Sequence, residues 1–115
     1  MSRKRRSEAS AVSLQASILE LIGGITDASI RTSIVTAISA MADAYRRGRI
    51  TEEELRRDLA NLCFDVLDFK NPFKDAEELR KEAERWAERL LRLIKLESMR
   101  MRYLTRLSSS REWEV

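Results

Sequence analysis

Apolar residues recur at intervals of three and four along most of the chain, which is the period of one helix face. Ala11, Leu14, Ile18, Leu21 and Ile22 share such a face and predict a first helix over 7–22. Gly23-Gly24 stops it, because glycine enters the left-handed cap conformation without strain. Thr26 or Asp27 then offers a side-chain oxygen to the free amides of a second helix. That helix runs to about Arg47, with Ile30, Ile34, Ala37, Ile38, Met41 and Tyr45 as its stripe. Arg46-Arg47 sit at its negative end, ahead of Gly48.

The next boundary carries the strongest local signal. Thr51 and Glu54 are spaced as a capping box, and Ile50 with Leu55 flank it as a hydrophobic staple. Leu55, Leu59, Leu62, Val66 and Phe69 form the face of a third helix. Asn71-Pro72 ends it, since proline has no N–H and restricts the residue before it. A fourth helix begins at Pro72 or after Asp75, where Asp75 and Glu78 form a second capping box. Nothing breaks it before Ser108-Ser109-Ser110, so it reaches roughly 50 Å at 1.5 Å per residue. It must overhang the shorter helices or pack on two of them in succession. Its stripe reads Ala76, Leu79, Ala83, Trp86, Leu90, Leu93, Ile94, Met101 and Leu104. The pattern predicts an all-α, four-helix bundle-like fold with a long C-terminal helix and a basic N-terminal arm. Residues 1–6 are the arm, 7–107 the single helical domain and 108–115 a tail.

Composition agrees. Three glycines and one proline in 115 residues leave little room for the turns of a many-stranded sheet. There is no histidine and one cysteine, which removes most routes to a metal site, a catalytic triad or a disulfide framework. Phosphate-loop glycines and a nucleophile elbow are missing too, so the expectation is a non-enzyme without cofactor or metal. No window of 18 apolar residues exists, and no apolar stretch follows Met-Ser-Arg-Lys-Arg-Arg, so neither a membrane span nor a signal peptide is expected. The expected place is inside a cell, or in a particle assembled there. Seventeen arginines against five lysines, with three Asn plus Gln, suit a thermophile.

Individual positions refine this. Glu97 interrupts the stripe of the fourth helix and needs a cation or water, with Arg31 and Arg100 as possible partners. Residues 9–45 hold only four charges, Glu20, Asp27, Arg31 and Asp43. Ala28, Thr32, Thr36, Ala40 and Ala44 form one line of small residues there. Two ion-poor helices in succession suggest a homo-oligomeric or polymeric contact. Asp58, Asn61, Asp65 and Asp68 read as a solvated acidic face of the third helix, and Cys63 as a buried small hydrophobe.

The net charge of +3 conceals three basic clusters. Arg3, Lys4, Arg5 and Arg6 make the arm; Arg46, Arg47 and Arg49 make the corner between the second and third helices. Arg89, Arg92, Lys95, Arg100, Arg102, Arg106 and Arg111 make the end of the fourth, opposed by Glu97 alone. The guanidinium fork donates two hydrogen bonds at once to phosphate. The candidate nucleic-acid-binding residues are therefore Arg3, Lys4, Arg5, Arg6, Arg46, Arg47, Arg49, Arg89, Arg92, Arg100, Arg102 and Arg106. They imply a backbone grip without base reading, on double-stranded DNA in preference. A recognition helix beginning at Glu52-Glu53-Glu54 would push acidic charge at DNA, which argues against a helix-turn-helix reader. The alternative is a helical protein–protein interaction subunit of a larger complex with no nucleic-acid contact.

In layout the chain resembles the helical-bundle coat proteins of filamentous archaeal viruses. Ser2–Arg6, the ion-poor helices of 9–45 and the arginine-rich 89–111 carry the resemblance. It implies a polymer wrapping double-stranded DNA, with the arm and helix arginines facing the DNA. The small helical subunits of CRISPR effector complexes are similar in size and charge layout.

Overall fold

The structure, a computed structural model, describes residues 13–114, and residues 106–114 only as helical backbone. The described residues form four helices and no strand: α1 (Leu14–Leu21), α2 (Ala28–Arg46), α3 (Glu52–Lys70) and α4 (Ala76–Glu114). The fold is all-α, a bundle with a long C-terminal helix.

Local chemistry sets each end. Ser13 is extended and its Oγ accepts from the Ala16 N–H at 3.1 Å, so α1 starts there. A helix unbroken from Ser7 is thereby corrected: the Ser13 hydroxyl competes for backbone amides, and such residues cap helices better than they continue them. The earlier residues of that expected helix, 7–12, lie outside the described ones. Asp27, and not Thr26, caps α2, its Oδ1 accepting from Ser29 N at 2.8 Å and Ile30 N at 3.1 Å. Gly48, with φ +76°, closes α2 by taking the left-handed conformation. Arg49 N then donates to Ala44 O at 2.8 Å and Gly48 N to Tyr45 O at 3.0 Å, a complete Schellman cap. Both halves of the Thr51–Glu54 capping box form. Asp75 Oδ2 accepts from Glu77 N and Glu78 N, so α4 starts at Ala76 rather than at Pro72.

The α3 and α4 helices run antiparallel, since Arg56 meets Glu88 while Arg80 stacks over Phe64. Leu55, Leu59, Cys63, Val66 and Leu67 of α3 join Leu79, Ala83, Ala87, Leu90, Leu91 and Ile94 of α4 in the core. Leu14, Ile18 and Leu21 of α1, Ile22 and Ile25 of the loop after it, and Ile34, Ile38 and Ala42 of α2 complete it. Two basic side chains tie the short α1 and its loop down. Lys70 Nζ donates to Leu21 O, and Arg31 Nη1 to Ile25 O, both at 2.8 Å.

The apolar stripes do not all stay inside. Phe69 is 56% exposed, and Leu67 takes the core position at that end of α3. On α4 the core stops at Ile94 and Ser98; Met101 and Leu104 lie in the open, 55% and 57% exposed. The helix then runs on through Ser108–Ser110 to Glu114, past the stop expected at the serines. Serine costs a helix only a fraction of a kcal/mol, roughly 0.5, and neither glycine nor proline stands there. The 16 residues from 99 to 114 extend about 24 Å at 1.5 Å per residue. Every side chain described in that stretch, 99–105, is exposed. α4 therefore both packs on two helices and overhangs them.

Candidate nucleic-acid interface

The arm residues Arg3, Lys4, Arg5 and Arg6 lie outside the described residues, and Arg106 falls in the stretch described as backbone. The other candidates divide into engaged and unengaged guanidinium groups.

At the α2–α3 corner the Schellman turn places Arg46, Arg47 and Arg49 together on the surface. Arg47 Nε pairs with Asp43 Oδ2 at 2.9 Å across one helical turn. Arg46 Nη1 stands 3.9 Å from Glu97 Oε1, both side chains partly exposed at 29% and 41%. Glu97 thus sits at the solvent edge, and its partner comes from the end of α2. Of the two partners expected, Arg31 is bound to the Ile25 carbonyl and Arg100 is exposed elsewhere on α4. Arg49 is exposed and forms no ion pair with a described carboxylate.

On α4 the acids that answer the basic end come from other helices. Arg89 reaches Glu20 of α1 at 2.8 Å and stacks over Trp86 with its guanidinium carbon 4.8 Å from the ring centroid. Lys95 reaches Glu52 of α3 at 3.1 Å. Arg56 is gathered by Glu88, Glu53 and Glu52, and the hydrogen bond it donates to Glu88, then that to Glu53, raises its pKa above the ordinary arginine value. Arg92, Arg100 and Arg102 are exposed and pair with no described carboxylate. They are the cations of α4 most open to a phosphate.

The overhang has a second property. Leu91, Ile94 and Ser98 point into the bundle. At 3.6 residues per turn, Leu96, Met99 and Tyr103 fall on the opposite side, with Leu104 at their edge. These four are 52% to 61% exposed. Leu96, Met99 and Tyr103 thus make a second apolar line on the outward side of α4, while Met101 keeps to the side of Ile94 and Ser98. Arg100 lies beside this line, one turn from both Leu96 and Leu104, whereas Arg102 is roughly 200° round the helix from Arg100. Below it, Leu91, Leu96 and Met99 floor an open groove of about 320 Å³. Its rim alternates in sign with Glu52, Arg56, Glu88 and Arg92.

The acidic side of α3 carries exposed Asn61, Asp65 and Asp68, with Asp58 3.8 Å from Arg57. Among the described residues no three metal-ligating side chains gather. Cys63 is fully buried, and burial pushes its thiol pKa up to about 12. That thiol is an inert core group.

Sequence reasoning missed the outward face of α4, although 96, 99 and 103 already stand at 3–4 spacing. It also missed Phe73, which is 99% exposed in the α3–α4 loop. Comparison with protein-family models, curated proteins and solved structures gave no match to this chain.

Proposed function

We propose that this is a non-enzymatic, self-assembling protein that grips nucleic-acid backbone without reading sequence, with double-stranded DNA as the favoured partner. The role is coating, packaging or architecture; a virion capsid built inside a cell fits it, and the ion-rich, amide-poor composition suits a thermophilic, archaeal setting. One observation carries the reading. Arg92, Arg100 and Arg102 stand exposed, without described carboxylate partners, along a helix that leaves its bundle. From Arg92 to Arg102 is about 15 Å along the helix axis, enough to meet several phosphates spaced at 3.4 Å per base pair. Arg49 adds a cation at the corner, and Arg3, Lys4, Arg5 and Arg6 add an arm in sequence.

Fluorescence anisotropy of duplexes of unrelated sequence, titrated with salt, tests this. Binding at low salt should be equal across sequences and fall steeply as salt rises. Arg102→Gln should weaken every duplex alike and lower the log–log salt slope by about one. No binding at low salt, or a flat slope, refutes nucleic-acid contact. The exposed Leu96, Met99 and Tyr103 favour a second reading, a protein-interaction subunit of a larger complex. That reading gives no duplex binding at any salt.

A further inference from the structure

We propose that copies of this chain join head to tail, the free end of α4 in one copy docking on the α3–α4 loop pole of the next. The inference rests on the self-assembly part of the reading above and names the two surfaces.

The head is the outward face of the overhang: Leu96, Met99 and Tyr103, all exposed, with Arg100 beside them. The tail lies at the other end of the same helix. There Phe73 is 99% exposed and Phe69 56% exposed. Close to these two in sequence, Asp65, Asp68, Asp75, Glu77 and Glu78 are all exposed. Lys74 is paired with Glu82, and these five acids outnumber the three remaining cations of this end, Lys70 on the Leu21 carbonyl and the exposed Arg80 and Lys81. One pole is therefore apolar and cationic, and the other apolar and anionic. Each offers what the other lacks.

Geometry keeps them apart in a single copy. Ala76 to Met99 spans about 35 Å of continuous helix, so a head cannot reach its own tail. Two heads facing each other would set Arg100 against its like charge, which costs rather than gains. A second copy presenting its tail meets both the apolar and the charge requirement. Such a contact uses two different patches, and unless its rotation closes a ring it propagates as a filament. Arg102 stands one turn from Met99, at the margin of this face, and is turned away from Arg100.

Sedimentation velocity of the full chain without nucleic acid tests the proposal with two variants. The tail variant is Asp68→Asn with Phe73→Ser; the head variant is Met99→Ser with Arg100→Glu. All four side chains are exposed, so the thermal midpoint in dilute solution should match the wild type. Wild-type chain should grow in size with concentration. Each variant alone should associate about tenfold or more weakly, in line with losing a buried ring or an apolar–ionic contact. An equimolar mixture should form dimers and stop there, because one intact head meets one intact tail and nothing remains to extend. A tail variant that assembles like the wild type overturns the head-to-tail contact and leaves self-assembly standing. So does a mixture that forms no dimer while the wild type assembles. A wild type that remains monomeric at all concentrations, with and without DNA, overturns the self-assembly reading itself and the contact with it.

Discussion

Ile94→Ala and Leu104→Ala remove nearly equal apolar volumes from one helix, and the structure assigns them opposite consequences. Ile94 has no exposed surface and lies among the core side chains of α3 and α4. Its truncation loses the transfer free energy of the missing carbons and leaves a cavity, together about 2–5 kcal/mol. Against a total stability of about 5–15 kcal/mol that is a large fraction. Leu104 is 57% exposed beyond the last core layer. Its truncation leaves no cavity, and alanine is the better helix former, so stability should stay within about 0.5 kcal/mol. Guanidinium unfolding followed by circular dichroism, at concentrations low enough to keep the chain monomeric, reads both. The midpoint should fall sharply for Ile94→Ala and hardly move for Leu104→Ala, with equal slopes. A loss above about 1.5 kcal/mol for Leu104→Ala, approaching the core range, would mean that the overhang packs on its own bundle. The placement of both proposed surfaces would then be refuted.

Other perturbations check the remaining features. Thr51→Ala removes one half of the α3 capping box and should cost about 1 kcal/mol, measured by the same unfolding curves; no change would mean that the box contributes nothing. Glu97→Gln should shift stability by less than about 0.5 kcal/mol, because its 3.9 Å contact with Arg46 is partly exposed; a larger loss would point to a buried ion pair. The Cys63 thiol should resist a thiol-reactive dye at pH 8 until denaturant is added; rapid native labelling would contradict its burial. Burial raises that pKa from 9.0 to about 12, so the unfolded chain ionises first. The contribution to stability is fully present below pH 9 and is lost as pH climbs towards 12, which unfolding curves at several alkaline pH values would register.

The helix ends between Leu21 and Ala76 were legible because their causes are local, whereas the start at Ser13 and the run past Ser108–Ser110 were not. Gly48, Thr51 with Glu54, and Asn71-Pro72 act within three or four residues of themselves, and each does in the structure what its spacing implies. The stripe of the second helix was legible for the same reason, and that of the third as far as Val66, with Leu67 in the core where Phe69 was expected. What escaped depends on residues far apart in the chain. Nothing near Lys70 in sequence suggests that it donates to the carbonyl of Leu21. Glu97 meets Arg46, and Arg89 meets Glu20, only because α2 and α1 lie beside α4. Counting charges along one helix therefore overstated how many arginines of α4 are unengaged. The stripe of α4 misled differently: Met101 and Leu104 keep the helical period, but no partner helix extends that far. Periodicity reports which residues share a face and says nothing of how long the opposing surface is.

The two proposed activities of the overhang are linked by its geometry. Arg100 sits beside the apolar docking line, while Arg102 lies about 200° away from it around the same rigid helix. If copies dock through the first, the second stays open to phosphate, and each added copy contributes further cations to one duplex. A chain of n copies then releases about n times the counterions of one, so its salt dependence steepens with length. Coupling of this kind is reciprocal: whatever factor assembly adds to DNA affinity, DNA adds to assembly. Duplex DNA should accordingly drive assembly at protein concentrations where the chain alone is monomeric. The tail variant, which keeps every arginine offered to phosphate, should lose this cooperativity and bind DNA one copy at a time, with the shallower slope. If it instead binds as cooperatively as the wild type, assembly and backbone contact do not share this helix.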